Sequence, residues 1–355
     1  MPRNARTLIL LFLLLALSNG LQAQQWQWNR QAGCALGRDN NIFESPQRPT
    51  STLTGRFHLN ISGSGRLSTR WHAGVEAQAG IQGFAAYHTE NRSLIDFTTQ
   101  LVHQTARRIQ ISTRLRYRGK SYFSTDQGYQ LPMLQIEITG RLASALRGHL
   151  YFRSMVLDYS QGRLYDHRQR EAGLKLIWAA SSQLRMAWQA AIGGRRYDRT
   201  PVNWNANAEG GDPWTYGSGR QYDSLWRASW QLEYYRHMLI RVRLGYEKVT
   251  SNSTGFNYSQ PAIQLTAARE IGTRNLLHLK SVWRGKHYDN PLNPSLQLRP
   301  DTESEDMSMT VFEFTHSLNP ETQLSIRWGW YENESPYRNR YYQKTLIGLG
   351  LRIQF

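Results

Sequence analysis

The chain has 355 residues, 40% of them hydrophobic, and a mean hydropathy of −0.60. Its one uninterrupted apolar run, Leu8 to Leu17, is shorter than the ~20 residues a helical span requires, so a polytopic helical membrane protein is excluded. Lys plus Arg number 43 against 26 Asp plus Glu, a formal charge of +17 that taken alone points to nucleic acid.

The N-terminus argues against that partner. Arg3 and Arg6 form a charged start, Thr7 to Leu17 an apolar stretch, and Ser18 to Ala23 a small-residue polar segment. This order predicts an export signal over residues 1–23, cleaved after Ala23, and a mature domain over 24–355. Exported chains do not meet nucleic acid. One cysteine, Cys34, cannot form an internal disulfide. Ala32-Gly33-Cys34 stands too far from the apolar stretch for a lipid-attachment signal, and Cys34 reads as a small wall residue.

Beyond that signal the sequence alternates at period two. Strands are expected at 29–38, 51–61, 66–78, 93–104, 108–118, 129–140, 145–158, 169–180, 182–193, 222–234, 238–249, 256–269, 274–285, 305–317, 321–332 and 341–355. In the fifth, Ile109, Ile111, Thr113, Leu115 and Tyr117 oppose Gln110, Ser112, Arg114, Arg116 and Arg118, giving one greasy and one cationic face. Such a wall averages polar without exposing charge to lipid. Connections near Gly63, Ala106, Ser144, Ser181, His237, Gly272 and Pro320 are short and alternate with longer ones. The expected fold is therefore all-β, an antiparallel transmembrane barrel of about 16 strands, with 14 or 18 as alternatives, periplasmic turns and external loops.

The last strand carries the most specific motif. Ile347, Leu349, Leu351, Ile353 and Phe355 share a face in a segment ending Gly350-Leu351-Arg352-Ile353-Gln354-Phe355. It resembles the C-terminal signal of Gram-negative outer-membrane β-barrel proteins, in which Gly350, Leu351, Ile353 and Phe355 match the positions read by the barrel assembly machinery. The resemblance implies a bacterial outer-membrane, porin-like class. Tyr117, Tyr151, Tyr159, Tyr234, Tyr246, Trp328, Trp330 and Tyr341 lie near strand ends, where amphipathic rings meet headgroups.

If the apolar faces meet lipid, the lumen receives Arg56, Arg70, Arg114, Arg116, Arg118, Arg153, Arg185, Arg227, Arg241, Arg243, Arg284, Arg327 and Arg352, with Lys175, Lys280 and Lys344. Opposing them are Glu76, Asp96, Glu137, Glu233, Glu247 and Glu313. A cationic lumen favours anions, so a channel for small or anionic solutes is expected. Two alternatives stand beside it: a structural ladder that selects nothing, and an export or assembly component for anionic polysaccharide or an envelope complex. Asp301, Glu303, Glu305 and Asp306 could supply further carboxylates from a folded-in loop. Arg170, Arg195, Arg196 and Arg199, on the loop side, suit lipopolysaccharide phosphates.

Two long loops, Gly194 to Gln221 and Lys286 to Thr302, carry aromatic, Asn and Pro residues fit for a constriction or for saccharide contact. No cofactor, metal or catalytic pattern occurs in the sequence. The nearest candidate for a lipid-acting enzyme is His287-Tyr288-Asp289-Asn290 with Ser281.

Overall fold

A computed structural model describes residues 26–43, 48–106, 108–125, 128–160, 166–204, 214–289, 308–333 and 342–355. The expected signal segment lies outside them. The wall strands are β1 (Trp26–Asp39), β2 (Thr52–Arg66), β3 (Trp71–Phe84), β4 (Arg92–Ala106), β5 (Ile109–Tyr122), β6 (Gly128–Arg141), β7 (Leu146–Tyr159) and β8 (His167–Ala179). They continue as β9 (Leu184–Tyr197), β10 (Tyr222–Tyr235), β11 (Leu239–Ser251), β12 (Tyr258–Ile271), β13 (Asn275–Arg284), β14 (Ser308–Ser317), β15 (Thr322–Asn333) and β16 (Tyr342–Gln354). A two-residue piece, His287–Tyr288, extends β13 and pairs with β12.

Every strand is antiparallel to its neighbours, and β1 bonds both to β2 and to β16, from Gln31 opposite Gln354 to Asp39 opposite Leu346. The sheet is thus a closed 16-stranded barrel without free edges. A 14-residue strand such as β1 is ~46 Å long, which at the usual tilt gives roughly 35 Å of height, more than the ~25 Å apolar band of an outer-membrane barrel. The surplus places strand ends in water on both sides.

The outer face is apolar because alternate positions are. Leu36 is 74% exposed and Leu349 63%, with Leu53, Phe57, Leu115, Ile192 and Ile326 also bare on that side. A continuous belt of this kind faces lipid rather than water. Cys34 belongs to it, opposite Phe57 and Leu351.

One turn differs from expectation. The hairpin of β2 and β3 does not bend near Gly63; β2 runs on to Arg66, and Leu67 to Arg70 form the turn, closed by the Leu67 amide on the Trp71 carbonyl at 2.9 Å. Gly63 and Gly65 are packing gaps instead. A Cβ on Gly63 would stand 2.5 Å from the Trp28 ring, and one on Gly65 2.9 Å from Trp26. The two indoles stack at 5.6 Å across these gaps. Gly272, in contrast, turns β12 into β13 at φ +64°, where other residues are strained.

Candidate functional site: the charged inner wall

Residues directly opposite each other in an antiparallel pair share a face, so the register assigns the inner wall residue by residue. A chain of alternating charge crosses β7 to β11. The Glu171 carboxylate, 2% exposed, takes Arg227 Nη1 at 2.8 Å and stands 3.9 Å from Arg153. Arg227 Nε donates to Glu247, which stands 3.9 Å from Arg195. Tyr151 donates to Glu171 at 3.0 Å and Tyr258 to Glu247 at 2.6 Å, while Gln189 donates to the Tyr151 hydroxyl at 2.8 Å. With both carboxylates saturated by donors, this sector is a brace in the wall.

Other predicted cations are paired too. Asp96 accepts Arg116 at 2.8 and 2.5 Å and Arg118 at 2.9 Å. Glu233 holds Arg241 at 2.6 Å and Arg185 at 3.6 Å, and Lys344 reaches Asp39 at 2.9 Å. Glu137 receives His149 at 2.8 Å. A second group meets only neutral acceptors: Arg114 on Gln100 at 3.3 Å, Arg243 on Ser229 at 3.2 Å, Arg352 on Gln323 at 3.5 Å and Arg327 on the Tyr331 hydroxyl at 3.4 Å. Arg56 is inward opposite Ala35, and its Nε has no partner among the described residues. Arg284, Lys280 and Lys175 stand on the same face, opposite Ala262, Thr266 and Gln189.

Several expectations change. Arg70 lies in the first turn and not in the wall. Arg195 faces inward, opposite Asp223, and donates to Gln169 at 2.7 Å. Arg199 stacks over Tyr197 at 4.9 Å and Phe256 at 4.5 Å and donates to Gln221. Neither is available to outer lipid, whereas Arg170 and Arg196 do point outward, joined by Arg168. Glu171, Asp39, Asp223, Arg92 and Lys120 are inner-wall charges that the alternation did not assign. Tyr151 and Tyr159 are also inward: Tyr151 is buried in the brace and Tyr159 packs on Tyr129 at 6.1 Å.

The loop after β9 forms a small hairpin, Val202–Trp204 with Trp214–Tyr216. The Val202 amide donates to Ser253 Oγ at 3.0 Å and the Thr254 amide to the Val202 carbonyl at 2.8 Å, which fastens this hairpin to the next external loop. Residues 205–213, the loop beyond Asp289, and with it Asp301, Glu303, Glu305 and Asp306, lie outside the described residues. Ser281 bonds the Thr310 hydroxyl at 2.6 Å, and the His287 ring meets the Gly285 carbonyl at 3.3 Å, so each of these groups is engaged with a different partner. In the C-terminal motif Leu351 and Ile353 face outward, Gly350 inward against Ser325, and Phe355 is 66% exposed.

No family model matches this chain, and no curated protein matches it. Among solved structures it is similar to the anion-selective porin from Comamonas acidovorans, at 11% identity and a TM-score of 0.49 over 93% of this chain and 99% of that one. It is also similar to in-vitro folded OmpT, an outer membrane protein of Vibrio cholerae, at 9% identity and TM-score 0.48 over 94% and 99%. A bacterial polysaccharide outer membrane secretin follows at 9% identity and 0.41, over 91% and 98%. The register, closure and apolar outer belt of this chain are those of a closed, 16-stranded antiparallel transmembrane β-barrel.

Proposed function

We propose that the barrel is a diffusion channel for small solutes with a preference for anions. The observation that carries this reading is the group of inward arginines, Arg56, Arg114, Arg243, Arg327 and Arg352, that meet no carboxylate among the described residues. Paired charges cancel at a distance, so a permeating ion senses the unpaired ones. In a narrow aqueous path between low-dielectric walls these raise local anion concentration. Arg185, 60% exposed, and Arg118 and Arg241, both 39%, lie on the same face and are reached by water. Reversal potential in planar bilayers under a potassium chloride gradient tests the reading. A potential on the anion side is expected; cation preference, or no conductance from a folded barrel, would overturn it.

The outer rim supports a partner. Arg168 on β8 stands directly opposite Arg196 on β9, both exposed and outward, with Arg170 two residues along and no ion pair for any of the three among the described residues. Like charges in direct register repel, and a phosphate between them reverses the sign of the interaction. We assign this cluster to the phosphates of lipopolysaccharide in the outer leaflet.

A further inference from the structure

We propose that the inner wall beside the seam where β1 meets β16 is a binding site for a small oxyanion, a carboxylate or phosphate group, held between Arg56 and Arg327. The proposal deepens the channel reading above and relies on it for the ligand's path to the site.

The two arginines come from β2 and β15, which flank the seam. Between them the inner face carries almost no side chain. Ala35 and Gly37 of β1 lie opposite Gly350 and Gly348 of β16, Arg56 is opposite Ala35, and Arg327 is opposite Gly348. A floor of glycine and alanine lets two long side chains extend across it, and leaves a recess of about 180 Å³ that both of them line. The floor is specific in its smallness: a Cβ on Gly350 would stand 2.7 Å from Ser325 Oγ, and one on Gly348 3.2 Å from the Leu36 carbonyl.

The donor inventory of this recess is unbalanced. Arg56 Nε and Arg327 Nε are both buried without a hydrogen-bond partner. A buried guanidinium N–H left unmade is costly, more so than the loss of an exposed one. Arg352 and His58 line the same recess and add donors. Among the described residues Glu313 is the one carboxylate that lines it, in register with Arg327, and no ion pair joins them. Asp39 is already committed to Lys344. A guanidinium whose Nε is free can take a carboxylate or phosphate oxygen there and a second oxygen on a neighbouring Nη, which a lysine ammonium cannot copy; on Arg327 one Nη also donates to the Tyr331 hydroxyl.

Calorimetric titration of the detergent-refolded barrel with inorganic phosphate, and separately with acetate, against a chloride background tests the site. Saturable one-to-one binding is expected for the wild type. At least a tenfold loss is expected for R56K/R327K, which keeps both charges and removes both Nε edges, with the same loss in R56A/R327A. Mobility before and after boiling on gels shows that each variant is folded. Unchanged phosphate affinity in the lysine pair would mean bare charge density and overturn the proposal, as would a wild type that never saturates. Calorimetry needs no conduction, so wild-type reversal potential fails or holds separately: binding without anion preference would remove the channel reading and leave the site.

Discussion

The Phe355 amide donates to the Arg30 carbonyl at 3.0 Å, which bonds the C-terminal end of the chain to the strand that opens the barrel. Gln354 stands opposite Gln31 beside it, so the terminal residues complete the β1–β16 seam. Removing Phe355 deletes that bond and an outward aromatic together. The fraction of protein in the heat-modifiable folded form should fall, while passage across the inner membrane is unaffected. Semi-native gels of fractionated membranes measure this, and a normal mobility shift would count against a closing role.

A ring packed over a glycine braces the inside of the wall. The Tyr151 ring covers Gly173 so closely that a Cβ there would stand 2.5 Å from it. Tyr151 cannot move freely because its hydroxyl bonds Glu171 and Gln189. Gly173→Ala should therefore destabilise the barrel by about 1–3 kcal/mol, the range for overpacking, in urea unfolding of the vesicle-refolded protein. The penalty should shrink in a Tyr151→Ala background, where the clash is gone. Equal penalties in both backgrounds would show that the ring is not the obstacle.

The strands were legible because one polar lumenal face and one lipid face impose a strict period of two, which β5 and β15 show most clearly. What failed was whatever that period does not encode. Gly63 has turn chemistry by type, yet its smallness serves the Trp28 ring, a cross-strand partner no local pattern reveals. In His167 to Leu174 arginines occupy the outer positions and Glu171 the inner one, so no greasy stripe marked the face and Glu171 went unassigned. The cationic wall was visible as a charge excess. Which arginines are cancelled depended on cross-strand register, as with Arg227 between Glu171 and Glu247.

That brace makes two arginines on one wall unequal. Arg227 bridges two carboxylates, one of them buried, and its loss leaves Glu171 and Glu247 with weakened compensation. Arg185 is 60% exposed and 3.6 Å from Glu233, which keeps Arg241. Arg227→Ala should cost about 1–3 kcal/mol, and Arg185→Ala less than about 1 kcal/mol. Parallel urea titrations decide it, and equal costs would dissolve the distinction between brace and exposed pair.

Asp166, in the external connection between β7 and β8, accepts the Tyr159 amide at 2.8 Å. Burial pushes its carboxyl above the ordinary aspartate range; that amide bond opposes the shift, and Asp158 and Asp198 add to it. A raised folded-state pKa means that the folded state favours the proton. Its stabilising contribution is full below the unfolded value and is lost as pH rises through the folded one. Exchange of the Tyr159 amide, corrected for its intrinsic rate, should slow on acidification through the carboxylate range. Asp166→Asn keeps the acceptor and should remove the dependence; an unchanged profile would place its origin elsewhere.

The outer rim gives the remaining test. Arg168 and Arg196 oppose each other across β8 and β9, with Arg170 on the same outward face, and an unneutralised trio at this spacing is repulsive. Replacing Arg168 and Arg196 by alanine should relieve that repulsion in detergent, leaving refolding there unchanged or improved. In lipopolysaccharide-containing membranes the same change would remove the proposed phosphate contacts. Lipopolysaccharide retained through mild detergent extraction, quantified by its phosphate, should therefore fall severalfold for the double variant. Full retention would show that the phosphates do not sit between these two guanidiniums. A loss of refolding in pure detergent would instead assign the pair a structural role within the strand ends.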